Sequence, residues 1–321
     1  MKLILAPMEG VVDHLMRDLL TRIGGYDLCI TEFVRVVDQL LPRRVFTRLC
    51  PELLHGGKTA AGTPVRVQLL GQDPDWLAEN AVRAIELGSP GIDLNFGCPA
   101  KTVNKSRGGA VLLKETDSLY RIVSTVRKAV PATIPVTAKI RLGYDDTSLT
   151  LDNAAAIASA GASALTVHAR TRADGYRPPA YWPWIARIKQ QIAIPLIANG
   201  EIWSAADAQL CQQQSACEDL MLGRGALAQP NLANSIRLQQ PVMPWQQVLQ
   251  LLIDYSGLEI AGDKGQYYAN RIKQWFSYLK LQYPEAQLLF QQLRVLRKSA
   301  DILTVLQQAL QTKTPATMAG V

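Results

Sequence analysis

Short runs of apolar residues recur at fairly regular intervals over the first two thirds of the chain. Eight of these runs are continuous rather than alternating between apolar and polar positions, which is typical of strands buried on both faces of a parallel sheet. The pattern therefore predicts eight parallel strands. Their predicted bounds are 3–8, 28–31, 65–70, 92–96, 136–140, 164–168, 195–199 and 220–223.

Helical patterns with recognisable ends fill most of the intervals between these runs. Asp13 is a suitable N-cap for a helix that ends before Gly24, and Pro74 opens another helix that stops at Gly88. The predicted helices are 13–23, 75–87, 117–130, 150–160, 182–192 and 204–213. Alternating strands and helices over residues 1–240 predict an α/β fold, a (β/α)8 TIM barrel. A doubly wound open sheet is the alternative, but no G-x-G-x-x-G motif follows the first strand.

The pattern changes after residue 240. Pro241 and Pro244 mark a junction, and no predicted strand follows them. The remaining periodic segments predict a helical bundle domain over residues 241–311, with helices at 245–261, 265–281, 284–296 and 300–311. Residues 312–321 are predicted to form a flexible tail.

Composition narrows the class of protein. Hydrophobic residues make up 48% of the 321 residues, which allows a large core and excludes global disorder. The net charge of +7, from 34 basic and 27 acidic residues, favours an anionic partner. The five cysteines lack a CxxC pair, so neither disulfides nor a metal site is expected, and the reducing cytoplasm is the natural setting. No apolar stretch approaches the roughly 18 residues of a membrane span.

Polar or glycine-rich residues follow almost every predicted strand. In a (β/α)8 barrel the active site lies at these carboxyl ends. The candidates selected by this rule are Pro7, Met8, Glu9, Glu32, Gln68, Asn95, Cys98, Lys139, Arg141, His168, Asn199, Gly200, Glu201, Gly223 and Arg224. The loops after strands seven and eight are expected to bind a phosphate, because glycine lets backbone N–H groups approach it closely and Arg224 adds charge. The alternative is that these glycines only make tight turns.

Lys139 and His168 are ionisable candidates at this rim. A lysine within an apolar strand is costly unless it meets an anion. Three partners stay open for Lys139: a reduced flavin, a substrate held as a Schiff base, and a structural ion pair with Glu32 or Glu9. A functional role is favoured for His168, at the end of strand six, over that of a merely hydrogen-bonded side chain.

Cys98 lies in a loop of the catalytic face, after a glycine and before a proline. Most cysteines are small buried hydrophobic residues, and Cys29, Cys211 and Cys217 fit that description. A thiol of ordinary pKa is mostly protonated at neutral pH, so Cys98 can act as a general acid. A nucleophilic thiolate, which needs a nearby base, is the alternative.

The order of these motifs resembles the tRNA-dihydrouridine synthase family across nearly the whole chain. The matching segments are LAPMEG at 5–10, VQL at 67–69, DLNFGCP at 93–99, KIR at 139–141, VHART at 167–171, IANGE at 197–201 and GRG at 223–225. The GCP element, followed by Lys101 and the Gly108-Gly109-Ala110 turn, is the most specific of them. Phe96 departs from the family, where a cysteine is expected, but the retained Cys98 leaves the expected mechanism unchanged.

Two further segments point to a subfamily. TEFVRV at 31–36 and RIKQW at 271–275 are more similar to the bacterial C-type enzymes, the tRNA-dihydrouridine(16) synthases. That subfamily is associated with uridine 16 in the D-loop of tRNA. The resemblance therefore implies uridine 16 as the target.

The resemblance implies a flavin enzyme that reduces uridine to 5,6-dihydrouridine. FMN is expected to bind without covalent attachment, and NADPH to reduce it. Hydride then passes from flavin N5 to uracil C6, while Cys98 gives a proton to C5. The expected flavin contacts are Pro7, Met8 and Glu9 through backbone groups, Gln68 and Lys139 at the pyrimidine side, His168 near the ring, and Asn199, Gly200, Glu201, Gly223 and Arg224 at the phosphate.

Transfer RNA is the expected partner of a cytoplasmic monomer that needs no protein partner. Asn95 and Arg141 are candidates for gripping the target uridine. The further candidates for contacts with tRNA are Tyr176, Arg35, Arg271, Lys273 and Arg294, the last three from the helical domain. A flavin barrel for small molecules and a non-catalytic RNA-binding protein are the alternatives. The basic C-terminal helices argue against the first, and the retained site residues argue against the second.

Overall fold

The computed structural model describes residues 1–105, 107–261 and 265–311. Within these residues, eight parallel strands pair in sequence order and the last strand closes on the first. The strands are β1 (Leu3–Leu5), β2 (Leu28–Arg35), β3 (Val65–Leu70), β4 (Ile92–Phe96), β5 (Val136–Gly143), β6 (Ala164–Thr171), β7 (Leu196–Asn199) and β8 (Asp219–Leu222). The predicted TIM barrel is confirmed.

Helices surround the barrel and follow it in the chain. Those before residue 240 are α1 (His14–Ile23), α2 (Arg43–Leu49), α3 (Pro74–Glu86), α4 (Lys101–Lys105), α5 (Thr116–Ala129), α6 (Thr150–Ser159), α7 (Pro183–Lys189), α8 (Ala205–Ser215), α9 (Arg224–Ala228) and α10 (Leu232–Leu238). The later ones are α11 (Trp245–Ala261), α12 (Gly265–Leu279), α13 (Pro284–Leu293) and α14 (Ser299–Gln311). Short 3-10 helices lie at Pro51–His55 and Gly109–Lys114. No helix within the described ranges combines the length and apolar character that crossing a bilayer requires.

The predicted helix ends agree with the capping that is found. The Asp13 side chain accepts a hydrogen bond from the N–H of Met16 at 3.1 Å, and Gly24 ends α1 at a positive φ of 105°. Asp73 caps α3, whose first residue is Pro74. Local sequence therefore determines where these two helices begin and end.

Three strands extend three or four residues further than their apolar runs predict. β2, β5 and β6 continue to Arg35, Gly143 and Thr171. The apolar runs end near charged residues, but three charged side chains in these extensions, Glu32, Arg141 and Arg170, are buried. The extensions carry polar side chains to the rim of the barrel.

Helices after β2 and β8 were not predicted. α2 has seven residues between Pro42 and Pro51, and α9 has five. Segments this short give fewer than two full turns of hydrophobic periodicity, so the sequence pattern does not reveal them.

Apolar residues of the first strand face two different cores. Leu3 and Leu5 belong to the large core between strands and helices, whereas Ile4 belongs to a small cluster with Ile30 and Met221. Because successive strand residues point to opposite faces, the small cluster fills the barrel interior. This apolar cluster supports the end of the barrel where the polar residues lie.

The helices after residue 244 form the predicted bundle and pack against the barrel. Tyr255 and Trp275 meet edge to face with ring centroids 5.5 Å apart, and the Trp275 indole donates to the carbonyl of Leu227 at 3.0 Å. Buried apolar residues of both parts belong to one continuous core. The domain boundary at residue 240 stays a prediction, and the predicted tail at 312–321 lies outside the described residues.

Candidate active site

A cavity of about 500 Å³ opens at the carboxyl ends of the barrel strands. Its lining brings together residues that are far apart in the sequence, as the barrel rule predicts. The predicted site residues that line it are Pro7, Met8, Glu9, Gln68, Asn95, Cys98, Lys139, Arg141, His168, Tyr176, Asn199, Gly200, Glu201, Gly223 and Arg224.

Four predicted tRNA contacts lie outside this lining. Arg35 and Arg294 are exposed. Arg271 donates to the carbonyl of Gly10 at 2.6 Å and pairs with Asp13 at 2.7 Å. Lys273 contacts the carbonyl of Leu296. Arg271 and Lys273 therefore have contacts within the protein, and contact of any of the four with tRNA stays a prediction.

Three aromatic lining residues, Phe33, Trp203 and Tyr278, were missed by the sequence reasoning. Trp203 follows the Asn199-Gly200-Glu201 loop, and Tyr278 comes from α12. Tyr278 is half-buried. Burial and the neighbouring Tyr176 raise the pKa of its phenol, Arg224 lowers it, and the net shift is a rise. The signal for Tyr278 is its position seven residues after Arg271, which places both on one face of the helix.

Backbone hydrogen bonds hold the Cys98 loop from both sides. The N–H groups of Gly97 and Cys98 both donate to Oδ1 of Asn95 at 2.9 Å. The carbonyl of Cys98 accepts from Nδ2 of Asn104 at 2.9 Å and from the N–H of Ala110 at 3.1 Å. The half-buried thiol therefore sits on a fixed backbone at the cavity wall.

The environment of Cys98 keeps the thiol protonated at neutral pH. Burial raises its pKa above the ordinary value, and the Glu9 carboxylate adds to this rise. The opposing charges of Arg141 and Lys139 do not cancel the rise. A protonated thiol in this position can serve as a general acid.

Gln68 and Asn95 are joined side chain to side chain. Nδ2 of Asn95 donates to Oε1 of Gln68 at 2.7 Å, and Nε2 of Gln68 donates to Oδ2 of Asp93 at 2.7 Å. Gln68 is fully buried and Asp93 is 1% exposed. The side-chain amides of Asn95 and Gln68 each have a second N–H group that these hydrogen bonds do not use.

Lys139 places an ammonium group in the cavity wall. Its ammonium group donates to Oδ1 of Asn199 at 3.1 Å. Ion pairing with Glu32 or Glu9, one of the open alternatives, does not occur among the described residues. Burial and the charge of Arg141 lower the pKa of Lys139 to about 8, so it is largely charged at neutral pH. A charge held this way suits an anionic ligand.

His168 is buried beside several cations. Burial, Arg141 and Lys139 lower the pKa of its imidazole well below the ordinary value. The ring is therefore neutral at pH 7. A neutral ring adds a hydrogen-bonding group to the cavity without adding to its positive charge.

Arg141 joins the Cys98 loop to the loop after β6. Its Nε donates to the carbonyl of Gly97 at 2.9 Å, and its Nη1 donates to the carbonyls of Thr171 and Gly175 at 3.0 and 2.9 Å. The guanidinium also lies 5.1 Å from the centre of the Tyr176 ring. Most donors of Arg141 are thus used within the protein.

Glu201 organises the end of the cavity where a phosphate is expected. Its carboxylate pairs with the buried Arg170 and, at 3.4 Å, with Arg224, and it accepts from the Trp203 indole at 2.8 Å. A carboxylate repels a phosphate, so this side chain orients the arginines rather than binding an anion. The Arg224 guanidinium also lies 4.9 Å from the centre of the Tyr176 ring.

Gly200 is required where the chain passes His168. Its φ is +116°, and a Cβ there would lie 2.8 Å from Cδ2 of His168. Among the described residues, no group of three or more His, Cys, Asp or Glu side chains is placed to hold a metal ion. The donors that converge on the cavity are instead amide, ammonium and guanidinium groups, which suit an anionic, carbonyl-rich ligand.

Comparison with known proteins agrees with this chemistry. The family model for dihydrouridine synthase (Dus) matches residues 4–314. The tRNA-dihydrouridine(16) synthase of Shewanella oneidensis is 58% identical over 309 residues, which cover 96% of this chain and 98% of that protein. The protein of the same name from Escherichia coli K12 is 54% identical over 308 residues, covering 96% and 98%.

A comparison of solved structures supports the fold. A variant of NCR from Zymomonas mobilis matches with a TM-score of 0.54 at 15% identity, covering 75% of this chain and 88% of that one. A likeness at this level of identity concerns the barrel alone.

Proposed function

This chain belongs to the dihydrouridine synthase family, and we propose that it reduces uridine 16 of tRNA to 5,6-dihydrouridine, with FMN as the flavin and NADPH as the reductant. The reaction class, flavin-dependent reduction of uridine in tRNA, follows from the family. Position 16 is supported by the names of relatives that are 54–58% identical along almost their whole length. The observation that carries the proposal is the protonated Cys98 thiol at the wall of a cavity rich in hydrogen-bond donors.

The donors in the cavity fit FMN. Gln68 and the partly buried ammonium group of Lys139 suit the carbonyl-rich pyrimidine side of a flavin, whose reduced form is anionic. Gly200, Gly223 and Arg224 suit its phosphate. Bound flavin supplies the hydride. The neutral His168 can face the ring without drawing further negative charge into the cavity.

Cys98 supplies the proton in the proposed reaction. Hydride addition at uracil C6 leaves negative charge spread over C5 and O4, and a proton must then reach C5. The raised pKa of the thiol keeps this proton in place until it is needed. A positioned general acid contributes about 10²- to 10⁴-fold to the rate.

The mouth of the cavity suits an extruded nucleotide. Tyr176 is 53% exposed, and the centre of its ring lies 5.1 Å from the Arg141 guanidinium and 4.9 Å from that of Arg224. An exposed ring of this kind can stack on a base of single-stranded or flipped RNA. Arg35 and Arg294 are the surface cations proposed to meet tRNA phosphates. We place this activity in a cytoplasmic monomer that needs no protein partner.

The direct test is mass-spectrometric mapping of an unmodified tRNA after incubation with the protein, FMN and NADPH. The expected result is a gain of two hydrogens at uridine 16. A gain at another D-loop uridine would keep the reaction and remove the assignment to position 16. No gain with bound and reducible flavin would favour a small-molecule substrate.

Replacing the proposed acid tests the mechanism. Cys98→Ala should bind FMN and oxidise NADPH normally, but reduce uridine about 10²- to 10⁴-fold more slowly, because the proton donor is missing. Cys217→Ala, which changes a buried thiol outside the cavity lining, is the matched control and should keep the rate. Unimpaired dihydrouridine formation by Cys98→Ala would contradict the assignment.

A further inference from the structure

A chain of hydrogen bonds connects the Cys98 loop with a residue outside the cavity lining. It runs from the N–H groups of Gly97 and Cys98 to Asn95, from Asn95 to Gln68, and from Gln68 to Asp93. We call the side chains of Asn95, Gln68 and Asp93 the relay. The relay is buried, with exposures of 9%, 0% and 1%.

The direction of every bond in the relay is determined by the backbone. A backbone N–H can only donate, so Asn95 must turn its oxygen to the loop and its nitrogen to Gln68. Gln68 must then turn its oxygen to Asn95 and its nitrogen to Asp93. The last partner must be an acceptor, and Oδ2 of Asp93 fills that place.

Asp93 is itself held in position. Its Oδ1 accepts from the hydroxyl of Thr137 at 2.6 Å, and that hydroxyl accepts from Arg66 at 3.1 Å. The positive charges of Arg66 and Lys139 act on the same carboxyl group. A side chain bonded on both oxygens has one orientation, so it provides a rigid end for the relay.

We propose that Asp93 is a positioning residue: through Gln68 and Asn95 it fixes the backbone of the loop that carries the Cys98 thiol. The inference rests on the proposed role of Cys98 as the proton donor. Proton transfer requires the acid to stand within hydrogen-bond reach of its target atom, and a displacement of about 1 Å can cost about 10²-fold in rate. Asp93 lies outside the cavity lining, so it prevents such a displacement without itself touching the substrate.

The first experiment compares two substitutions at position 93. D93L keeps the branched shape and the number of heavy atoms but is larger and cannot accept a hydrogen bond, whereas D93N keeps an oxygen that can face Gln68. D93L should lose about 10²-fold in the single-turnover rate of uridine reduction, measured with flavin-loaded enzyme at saturating tRNA. D93N should stay within about threefold of the wild type.

Hydrogen exchange gives a readout that does not depend on catalysis. The amides of Gly97 and Cys98 should exchange faster in D93L and at the wild-type rate in D93N, measured by mass spectrometry on the peptide that covers residues 95–100. Asn80→Leu is the control, because it removes another buried amide, bonded to the backbone of Gln39, Leu41 and Trp76 away from the Cys98 loop. It should lower stability but leave the exchange of this peptide and the rate unchanged.

A second set of variants, in which the hydrogen bonds of the relay run in the opposite direction, tests the proposal if D93L does not fold. N95D still accepts from the loop, but its second oxygen then faces an acceptor at Gln68, so loop protection should fall. Adding D93N supplies a donor at position 93, so Gln68 can turn over and protection should return.

Loss of protection in D93L and its return in N95D/D93N support the proposal. Full protection in D93L, or a double variant no better protected than N95D, overturns it. An active Cys98→Ala enzyme would instead refute the proton donor and leave the exchange result standing.

Discussion

Gly109 shows how a single residue can control the position of the Cys98 loop. It has a φ of +68°, and a Cβ there would lie 2.9 Å from the carbonyl oxygen of Cys98 and 3.1 Å from its Cβ. Gly109→Ala should therefore cost about 1–3 kcal/mol of unfolding free energy and also slow uridine reduction, because the loop must move away. Denaturant unfolding and single-turnover kinetics measure the two effects.

Gly56→Ala separates backbone strain from the displacement of the loop. Gly56 has a similar φ of +76°, but nothing lies within 4 Å of the Cβ position. This variant should lose stability and keep the wild-type rate. Equal rates for the two variants would mean that the position of the Cys98 backbone does not limit proton transfer.

At the scale of residues, the site was largely predictable because the barrel rule selects strand ends. Cys98, Lys139 and the residues around them line one cavity as a consequence of that rule. Asp93 escaped notice because it lies inside an apolar run, one residue after the start of β4. Tyr278 escaped because its helix reaches the cavity only through tertiary packing. The spacing of Tyr278 from Arg271 indicates that the two residues share a face of α12, but not that this face reaches the cavity.

At the scale of elements, the strands and the long helices can be predicted from periodicity and capping. The side-chain contacts that join one element to another cannot. Arg17 of α1 is fully buried and pairs with Glu52 through Nε at 2.8 Å and Nη2 at 3.1 Å. The sequence alone would place a helical arginine on the solvated face. The ion pair joins α1 to the 3-10 helix Pro51–His55, and so holds the irregular segment that follows β2.

Breaking the ion pair between Arg17 and Glu52 should lower the free energy of unfolding. Glu52→Ala leaves the Arg17 charge buried without its partner and should cost about 3–5 kcal/mol of unfolding free energy. Burial raises the pKa of Glu52, but Arg17 more than offsets this, so the net pKa is lowered. The stabilisation by a carboxyl group of lowered pKa is present above its unfolded pKa of about 4.3 and is lost as pH falls through the folded value. The variant should therefore show less acid destabilisation than the wild type.

Urea unfolding between pH 7 and pH 3 measures both effects. Glu86→Ala is the control, because its carboxylate is 63% exposed and lies 3.4 Å from Arg83 on the surface of α3. It should cost less than about 1 kcal/mol. Equal losses for Glu52→Ala and Glu86→Ala would show that the buried pair does not stabilise the fold.

At the scale of the whole molecule, one face of α12 joins the C-terminal helices to the barrel. Arg271, Trp275 and Tyr278 are spaced by four and three residues, which places them on the same side of the helix. They reach the loop after β1, the carbonyl of Leu227 and the cavity, respectively. The C-terminal helices therefore complete the wall of the cavity. An arginine that the sequence assigns to RNA contact is used, at least in part, to hold the two parts together.

Charge reversal can distinguish a docking arginine from an RNA-binding one. Arg294, at the end of α13, is exposed and suits a phosphate contact, whereas Arg271 is bonded to Gly10 and Asp13. Arg294→Glu should weaken tRNA binding and reduce the slope of log affinity against log salt by about 1, without changing thermal stability. Arg271→Glu should lower thermal stability as well, because it places two carboxylates together where a salt bridge stood.

The measurement is tRNA affinity across a series of salt concentrations, paired with thermal unfolding of the same variants. Arg121→Glu, an exposed reversal on α5, controls for the change in net charge and should leave the salt slope unchanged. If Arg294→Glu binds tRNA with the wild-type salt slope, the end of α13 is not part of the RNA surface. If Arg271→Glu changes the slope at full stability, its contacts with the barrel are secondary to RNA binding, and the C-terminal helices must be held in place mainly by Trp275 and the shared apolar core.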